Sequence, residues 1–274
     1  MISRRASLWL LMILTAAVVM VCCMMPRIPQ PLTYHQFADR RSFLGIPNFG
    51  DVVSNLPFAV IGAWGIAFVL QSRRKRDHRA FVDEWEQWPY LFAFIGLLLT
   101  AFGSSYYHLA PDNARLVWDR LPMTITFMSM VSAVIAERIS VRLGIWLLPV
   151  LLVIGPASVL QWYWSEIRGA GDLRSYAAVQ AYSALVILMA LFFPRRYTRT
   201  GDFGLVIGFY ALAKLLELLD KPIFEATRVV SGHTLKHLAA AAAGYCILRM
   251  LQKREFISIA SSELCTQLGA VATE

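Results

Sequence analysis

The chain has 274 residues, of which 57% are hydrophobic and only 16% are charged, and its mean hydropathy is +0.53. This charge content lies well below that of an ordinary soluble domain, so the composition excludes a soluble globular protein and indicates an integral membrane protein. The net charge of +8 needs no nucleic-acid partner, because the distribution of basic residues described below accounts for it.

Eight apolar runs are long enough to cross a hydrocarbon core of about 30 Å. Because membrane spans must satisfy their own backbone polar groups, runs this long and continuous predict helices. We therefore expect an all-α, polytopic membrane bundle in which an N-terminal anchor helix precedes seven further transmembrane helices. In chain order the predicted spans are 7–25, 51–71, 88–108, 118–136, 143–162, 176–193, 202–219 and 232–251.

The first run resembles a secretory signal sequence but carries no cleavage signal. It begins with the basic pair Arg4 and Arg5 and lacks a small-x-small site, and Met20-Val21-Cys22 lacks the small residue that a lipoprotein site requires. We interpret residues 1–26 as an uncleaved signal anchor. Residues 27–255 then form the helical domain, and residues 256–274 form a short cytoplasmic tail.

The basic residues are shared unevenly between the two sides of the predicted membrane. With the N-terminus inside, 15 of the 26 Lys and Arg lie in inside segments, nine lie outside and two fall within spans. This bias follows the positive-inside rule with both termini cytoplasmic, and it agrees with a bacterial inner membrane. The basic run at 73–79 is better explained as a juxtamembrane topology signal than as a phosphate-binding patch.

Three of the five histidines have the spacing of metal ligands. His108 ends the third span in a Ser-x3-His pair with Ser104, and His233 and His237 form a His-x3-His pair at the start of the last span. Residues i and i+4 of a helix point the same way, so each pair presents two polar groups to one point. The topology places these residues and Asp119 at one depth near the outer face. Three imidazoles with a fourth position left for water are the ligands of a catalytic zinc site.

Simpler roles exist for each of these residues taken singly. A lone histidine near a helix end is often an interfacial or hydrogen-bonded residue, and a His-x3-His pair is a weak signal by itself. Ser104 can bond back to the carbonyl of residue 100, and Asp119 can cap its helix. Ionisable groups inside membrane spans are nevertheless costly and usually functional, which favours the metal site. We expect Lys214 and Glu217 to form a structural ion pair.

The ordered set of Ser104, His108, Asp119, His233 and His237 resembles the alkaline ceramidase family. Asp119 stands in the segment Trp118-Asp119-Arg120-Leu121-Pro122-Met123, and the segment Asn48 to Asn55, which ends in Ser-Asn, resembles the family's entry into its first span. The matches extend from about Asp39 to Leu251. That family belongs to a wider group of seven-helix membrane hydrolases that includes adiponectin-type receptors and proteins that remodel lipid anchors.

The resemblance implies hydrolysis of the amide bond of a ceramide-like membrane lipid, which releases a long-chain base and a fatty acid. It implies that His108, His233 and His237 bind zinc, that Asp119 takes a proton from the metal-bound water, and that Ser104 holds the developing oxyanion. Animal alkaline ceramidases also bind calcium through an acidic N-terminal cluster. Here Arg40 and Arg41 replace acidic residues in that region, which argues against calcium.

Two other functions remain open from the sequence. One is hydrolysis of another lipid bond, such as an ester of a phospholipid or a lipid anchor, by the same zinc site. The other is a receptor or transporter that binds metal or lipid without catalysis. An acid–base group beside three imidazoles favours catalysis, because a transport site must release its ion and usually needs a second access route. The acyl chain, the headgroup and the oligomeric state are left open.

Overall fold

The computed structural model describes residues 2–75 and 78–257, and this part of the chain is a helical bundle with no β-strand beyond two isolated bridges. Residues 258–274, which make up most of the predicted tail, lie outside the described residues. The helices are α1 (Arg4–Met24), α2 (Phe49–Val53), α3 (Leu56–Lys75), α4 (Gln87–Leu109), α5 (Asn113–Arg138), α6 (Val141–Ile167), α7 (Arg174–Met189), α8 (Asp202–Leu218), α9 (Asp220–Thr227) and α10 (Gly232–Lys253).

Seven of the eight predicted spans fall on one helix each, whereas the span 51–71 begins in α2 and continues in α3 after a break at Ser54 and Asn55. Four of the segments in the described residues are long and apolar enough to cross a membrane. These segments are Arg4–Met24, Phe49–Lys75, Glu84–Leu109 and Val141–Ile167. Helices α7 and α8 have only 16 and 17 residues, so each rises about 25 Å, slightly less than the hydrocarbon core. The number of helices that cross the membrane therefore stays a prediction.

Helix α5 is the centre of the bundle, which explains why its sequence is more polar than that of its neighbours. It packs against α4, α6 and α7, and every residue from 128 to 138 is buried. Two of its hydroxyls bond to neighbouring helices: Thr126 Oγ1 donates to the carbonyl of Ala93 at 3.1 Å, and Ser132 Oγ donates to that of Gly144 at 2.8 Å. Such hydroxyls join helices where lipid cannot provide a partner.

Helices α4 and α5 approach most closely at Gly103. A Cβ atom at this position would overlap the carbonyl oxygen of Trp118. Pro122 lies four residues after Trp118 and has no backbone N–H, so it leaves that carbonyl without its helical partner. The bare glycine Cα of α4 therefore packs onto a carbonyl that the proline of α5 has freed. This contact brings Ser104, the next residue of α4, beside the first turns of α5.

An ionic network closes the end of the bundle opposite the histidines. Glu137 of α5 accepts from Arg254 Nη1 at 2.6 Å and from the Tyr90 hydroxyl at 2.8 Å, and it pairs with Arg138 at 3.0 Å. Arg254 also donates to the carbonyl of Ala80 at 2.8 Å. Because all of these side chains are buried, the network satisfies charges that would otherwise be costly and fixes the ends of α4, α5 and α10 together.

We expect Gly103→Ala to destabilise the protein. The added methyl group has no space against Trp118, and overpacking of this kind costs about 1–3 kcal/mol. Thermal unfolding of the purified protein in detergent measures the effect as a lower melting temperature. Gly208→Ala in α8 is the matched control, since a Cβ there meets no atom within 4 Å. A Gly103 variant that is as stable as the Gly208 variant would contradict the packing described here.

Candidate metal centre

The three predicted histidines meet inside the protein. The ring centroids of His108 and His233 lie 4.9 Å apart, those of His108 and His237 lie 5.1 Å apart, and those of His233 and His237 lie 4.9 Å apart. One nitrogen of each ring lies within 4.8 Å of the others, and all three side chains are buried. The structure thus joins the end of α4 to the beginning of α10, as the topology and spacing predicted.

The unused ring nitrogens fit a bound metal ion. His108 Nδ1 and His233 Nε2 are buried and have no hydrogen-bond partner in the described part of the chain. A buried polar atom without a partner is costly, and a metal ion is one way to satisfy several such atoms at once. Zinc holds its nitrogen ligands at about 2.0–2.1 Å, so the nitrogens of a tetrahedral site are about 3.3 Å from one another. The three histidine nitrogens here lie within 4.8 Å of one another, which is compatible with that spacing.

Ser54 fixes the orientation of the third ring. Its hydroxyl donates to the carbonyl of Asp51 at 3.1 Å and lies 2.8 Å from His237 Nδ1. When the hydroxyl proton is on the Asp51 carbonyl, Nδ1 is the donor and Ser54 Oγ is the acceptor of this bond. The other nitrogen, Nε2, is then the one with a free lone pair. Outer hydrogen bonds of this kind select the tautomer that binds metal.

The start of α10 is held by three contacts. Ser231 caps the helix by accepting from the backbone N–H of Thr234 at 3.0 Å, and Asp220 Oδ1 accepts from the N–H of His233 at 2.8 Å. A Cβ on Gly232 would overlap the carbonyl of Leu216, so this glycine lets α10 begin directly against α8. Together these contacts set the position from which His233 and His237 reach His108.

The family-like segment before α3 fills the space between the two histidine helices. Asn48 donates from its side-chain amide to the carbonyl of His108 at 2.7 Å. Asp51 Oδ1 accepts from the Thr234 hydroxyl at 2.8 Å and from that of Ser231 at 3.3 Å. The resemblance identified this segment but gave it no role. The structure shows that it braces the beginning of α10 against the end of α4.

Ser104 and Asp119 lie together on the wall of a cavity beside the histidines. The contact of Gly103 with Trp118 brings the next residue of each helix, Ser104 and Asp119, close together, and both residues line the same cavity as His237. The simple capping role for Asp119 is wrong, because Asp112 caps α5 by accepting from the N–H of Arg115 at 2.7 Å. Asp119 lies in the second turn, where its helix does not need it as a cap.

The cavity of about 340 Å³ extends from the histidines toward the middle of the bundle. On α10 its wall runs from His237 to Ile247, a distance of about 15 Å at 1.5 Å per residue. The end near His237 carries the charged side chains, whereas most of the remaining wall is apolar. A long cavity with one polar end is the shape that an alkyl chain with a polar head requires.

Residues 26–48 form a strap that covers the histidines from the side of the helix ends. Phe37 is only 5% exposed, and its ring lies 4.6 Å from the His108 ring and 4.5 Å from the His233 ring. His35, which the sequence left without a role, bonds through Nδ1 to the Tyr107 hydroxyl at 2.8 Å and through Nε2 to Asn113 Oδ1 at 3.0 Å. The strap therefore separates the cluster from bulk water on that side.

The acidic residue of the strap is already paired. Arg41 binds Asp39 through Nη2 at 2.7 Å and through Nε at 2.8 Å, and the Arg41 guanidinium holds the pKa of Asp39 below its ordinary value. Arg41 also donates to the carbonyls of Arg228 and Val229. Asp39, the acidic residue in the region where animal alkaline ceramidases bind calcium, is thus part of an ion pair. Through Arg41 this ion pair attaches the strap to the loop before α10.

Sequence reasoning missed the residues that support the cluster. Ser54 stands in the segment that the resemblance identified, but nothing in the sequence linked it to His237, and Asp220 and Phe37 belong to no short motif. The expected pair of Lys214 and Glu217 is present, with a distance of 3.0 Å between Lys214 Nζ and Glu217 Oε2. Glu217 has a second partner, Lys236, which was not anticipated.

Comparison with known proteins finds neither a family model nor a curated protein that matches this chain. The likeness to alkaline ceramidases therefore depends on the spaced residues themselves.

We expect Ser54→Ala to weaken metal binding about 10- to 100-fold, because the His237 ring loses the acceptor that fixes its tautomer. Zinc competition with a chromogenic chelator measures this change in the purified protein. Ser183→Ala is the control, since the one hydrogen bond that this buried serine of α7 makes within the described residues goes to the carbonyl of Val179 in its own helix. Equal zinc affinity in the two variants would show that Ser54 does not support the site.

We also expect metal removal to loosen the bundle. Helix α10 packs mainly on α8, and α4 packs mainly on α5 and α3, so a bound ion would join two groups of helices. Free zinc at about 100 times its dissociation constant stabilises a protein by about 2.7 kcal/mol. A chelator should therefore lower the melting temperature by several degrees, and added zinc should restore it. His237→Ala should show no such response; a response as large as that of the parent would place the ion elsewhere.

Proposed function

We propose that this protein is a zinc-dependent intramembrane hydrolase that cleaves the amide bond of ceramide-like lipids to a long-chain base and a fatty acid. The observation that carries the proposal is the meeting of three buried histidines, one of which, His237, lines a largely apolar cavity together with Ser104 and Asp119. The resemblance of these residues to the alkaline ceramidase motif supports the choice of bond.

The reaction adds water to the amide carbonyl, breaks the C–N bond and delivers a proton to the leaving amine. Zinc, when bound by His108, His233 and His237, polarises the carbonyl and lowers the pKa of a coordinated water to about 7. Asp119 accepts a proton from the attacking water and passes it to the amine nitrogen as that bond breaks. One carboxylate on the cavity wall therefore acts first as base and then as acid.

Ser104 contributes a hydrogen-bond donor at the place where negative charge develops. In the structure Ser104 and Asp119 line the same cavity. With a substrate carbonyl in the cavity, the Ser104 hydroxyl donates to the carbonyl oxygen as it gains charge. Such a donor is most effective where water is excluded, and Ser104 is only 2% exposed.

The proposal places the enzyme in a bacterial inner membrane with both termini cytoplasmic. The distribution of Lys and Arg supports this orientation, which puts the histidines near the outer, periplasmic face. The packing of α1 supports a role as an anchor. The helix contacts mainly α7, and its large apolar side chains such as Trp9 and Ile13 are exposed.

The first test is to measure zinc content and ceramide hydrolysis together in the purified, full-length protein. The parent should bind about one zinc per chain, a number that follows from one three-histidine site. His237→Ala should lose both zinc and activity. Asp119→Asn should keep its zinc and lose about 100- to 10,000-fold in rate, because it removes the proton acceptor and leaves the ligands in place.

The exposed loop residue His78 provides the control, and His78→Ala should behave as the parent. Zinc without turnover of ceramide would reject the amide substrate and direct the search to another lipid bond. Asp119→Asn with unchanged turnover would reject the proposed acid–base role, and absence of zinc from the parent would reject the mechanism.

A further inference from the structure

Glu217 joins two lysines at the polar end of the cavity. Its Oε1 atom lies 2.6 Å from Lys236 Nζ and its Oε2 atom lies 3.0 Å from Lys214 Nζ. The Tyr34 hydroxyl of the strap also donates to Oε1, at 3.3 Å. We refer to Lys214, Glu217 and Lys236 as the lysine triad.

The triad has N–H donors without a partner in the described residues, and its two ammonium groups face only one carboxylate of the triad. Each ammonium group carries three N–H donors, and the hydrogen bonds found in the described residues use one on each lysine. The cavity wall as a whole carries three cations, Arg120 and the two lysines, against the two carboxylates Asp119 and Glu217. Charged side chains in a membrane interior are costly and are usually functional.

The positive charge of Arg120 is part of this excess, because the partners of its guanidinium are neutral. Its Nη2 atom donates to Gln30 Oε1 at 2.6 Å, and its guanidinium lies 4.3 Å from the centre of the Trp162 ring and 4.7 Å from that of Tyr176. It forms no ion pair with a carboxylate in the part of the chain that the structure describes. Its charge therefore adds to the positive potential at this end of the cavity.

The triad also connects the protein surface to the candidate site. The Lys214 side chain is 48% exposed, whereas that of Lys236 is 17% exposed and precedes the histidine His237 in α10. Both lysines line the same cavity as Ser104 and Asp119. A negatively charged group on a lipid thus meets a cation at the surface and a second cation next to the histidines.

We propose that the lysine triad is a binding subsite for an oxyanion carried by the lipid, either a phosphate-type headgroup or the carboxylate of the fatty acid. This inference rests on the proposed function, because the oxyanion belongs to a substrate or to a product of that hydrolysis. Lys236 binds the oxyanion directly, and Glu217 holds both ammonium groups in position between binding events. Charge-assisted hydrogen bonds of this kind are the strong ones.

The test compares Lys236→Met with Lys221→Met in the zinc-loaded, full-length protein. Lys221 is the matched control because it also pairs with a glutamate, Glu225, but its side chain is 79% exposed and lies outside the cavity. Binding is measured in mixed micelles for a neutral ceramide analogue with an ether in place of the amide, for its phosphorylated form and for a free fatty acid. Since none of these is hydrolysed, the result does not depend on turnover.

Lys236→Met should weaken binding of the phosphorylated analogue or of the fatty acid about 10- to 100-fold and change that of the neutral analogue less than about threefold. Loss for the phosphorylated analogue identifies the headgroup as the source of the oxyanion, and loss for the fatty acid identifies the product carboxylate. Lys221→Met should bind all three as the parent does.

Lys236→Arg separates charge from folding, since it keeps the cation and should retain most of the affinity for the anionic lipid. The subsite is rejected if Lys236→Met weakens all three ligands equally or none of them, or if Lys236→Arg loses as much as Lys236→Met. Normal anionic binding together with absence of ceramide hydrolysis in the parent would instead reject the proposed reaction and leave the subsite intact.

Discussion

The meeting of three imidazoles from two helices is the constraint on which the rest of this structure depends. Helices α4 and α10 pack mainly on other neighbours, and the histidines connect them at one end as the Glu137 network does at the other. To bring the rings together, α4 must lie close to α5 at Gly103, and α10 must begin directly against α8 at Gly232. The segment before α3 then fills the remaining space. Each of these contacts leaves little freedom in the backbone, and together they hold unpartnered ring nitrogens in a dry interior.

The two ends of the bundle use buried charge in different ways. At the end opposite the histidines, Glu137 is surrounded by Arg138, Arg254 and Tyr90, and these bonds hold three helix ends together. At the histidine end, charged side chains face a cavity. Buried ion pairs add little net stability, but an unpaired buried charge costs several kcal/mol. The first network is therefore consistent with a structural role, whereas the surplus of cations around the cavity suits a ligand that supplies the missing negative charge.

The sequence predicted the helices well because their signals are local. Apolar runs located every long helix, and i, i+4 spacing placed the histidines on common faces. The predicted topology also placed Asp119 and Ser104 near the histidines. Only the structure shows that Asp112, and not Asp119, is the cap of α5. The contacts of the supporting residues had no such local signal, although Ser54 itself stands in the segment that the resemblance identified. Ser54 contacts His237 across 183 positions of the chain and Tyr34 contacts Glu217 across 183, so these contacts exist only after the whole bundle has formed. Short helices such as α9, which is polar, were missed because they contain no apolar run.

The position of the strap determines from which phase a ligand can reach the histidines. With Phe37 packed on the histidine rings, the aqueous phase beyond the helix ends is shut off from the cluster, while the cavity extends along α10 through the apolar depth of the bundle. A lipid that enters such a site does so from the bilayer. Encounter is then governed by the mole fraction of that lipid among its neighbours in the membrane plane. If the proposed hydrolysis takes place, adding inert lipid at a fixed amount of substrate should slow it, because the mole fraction of the substrate in the membrane falls.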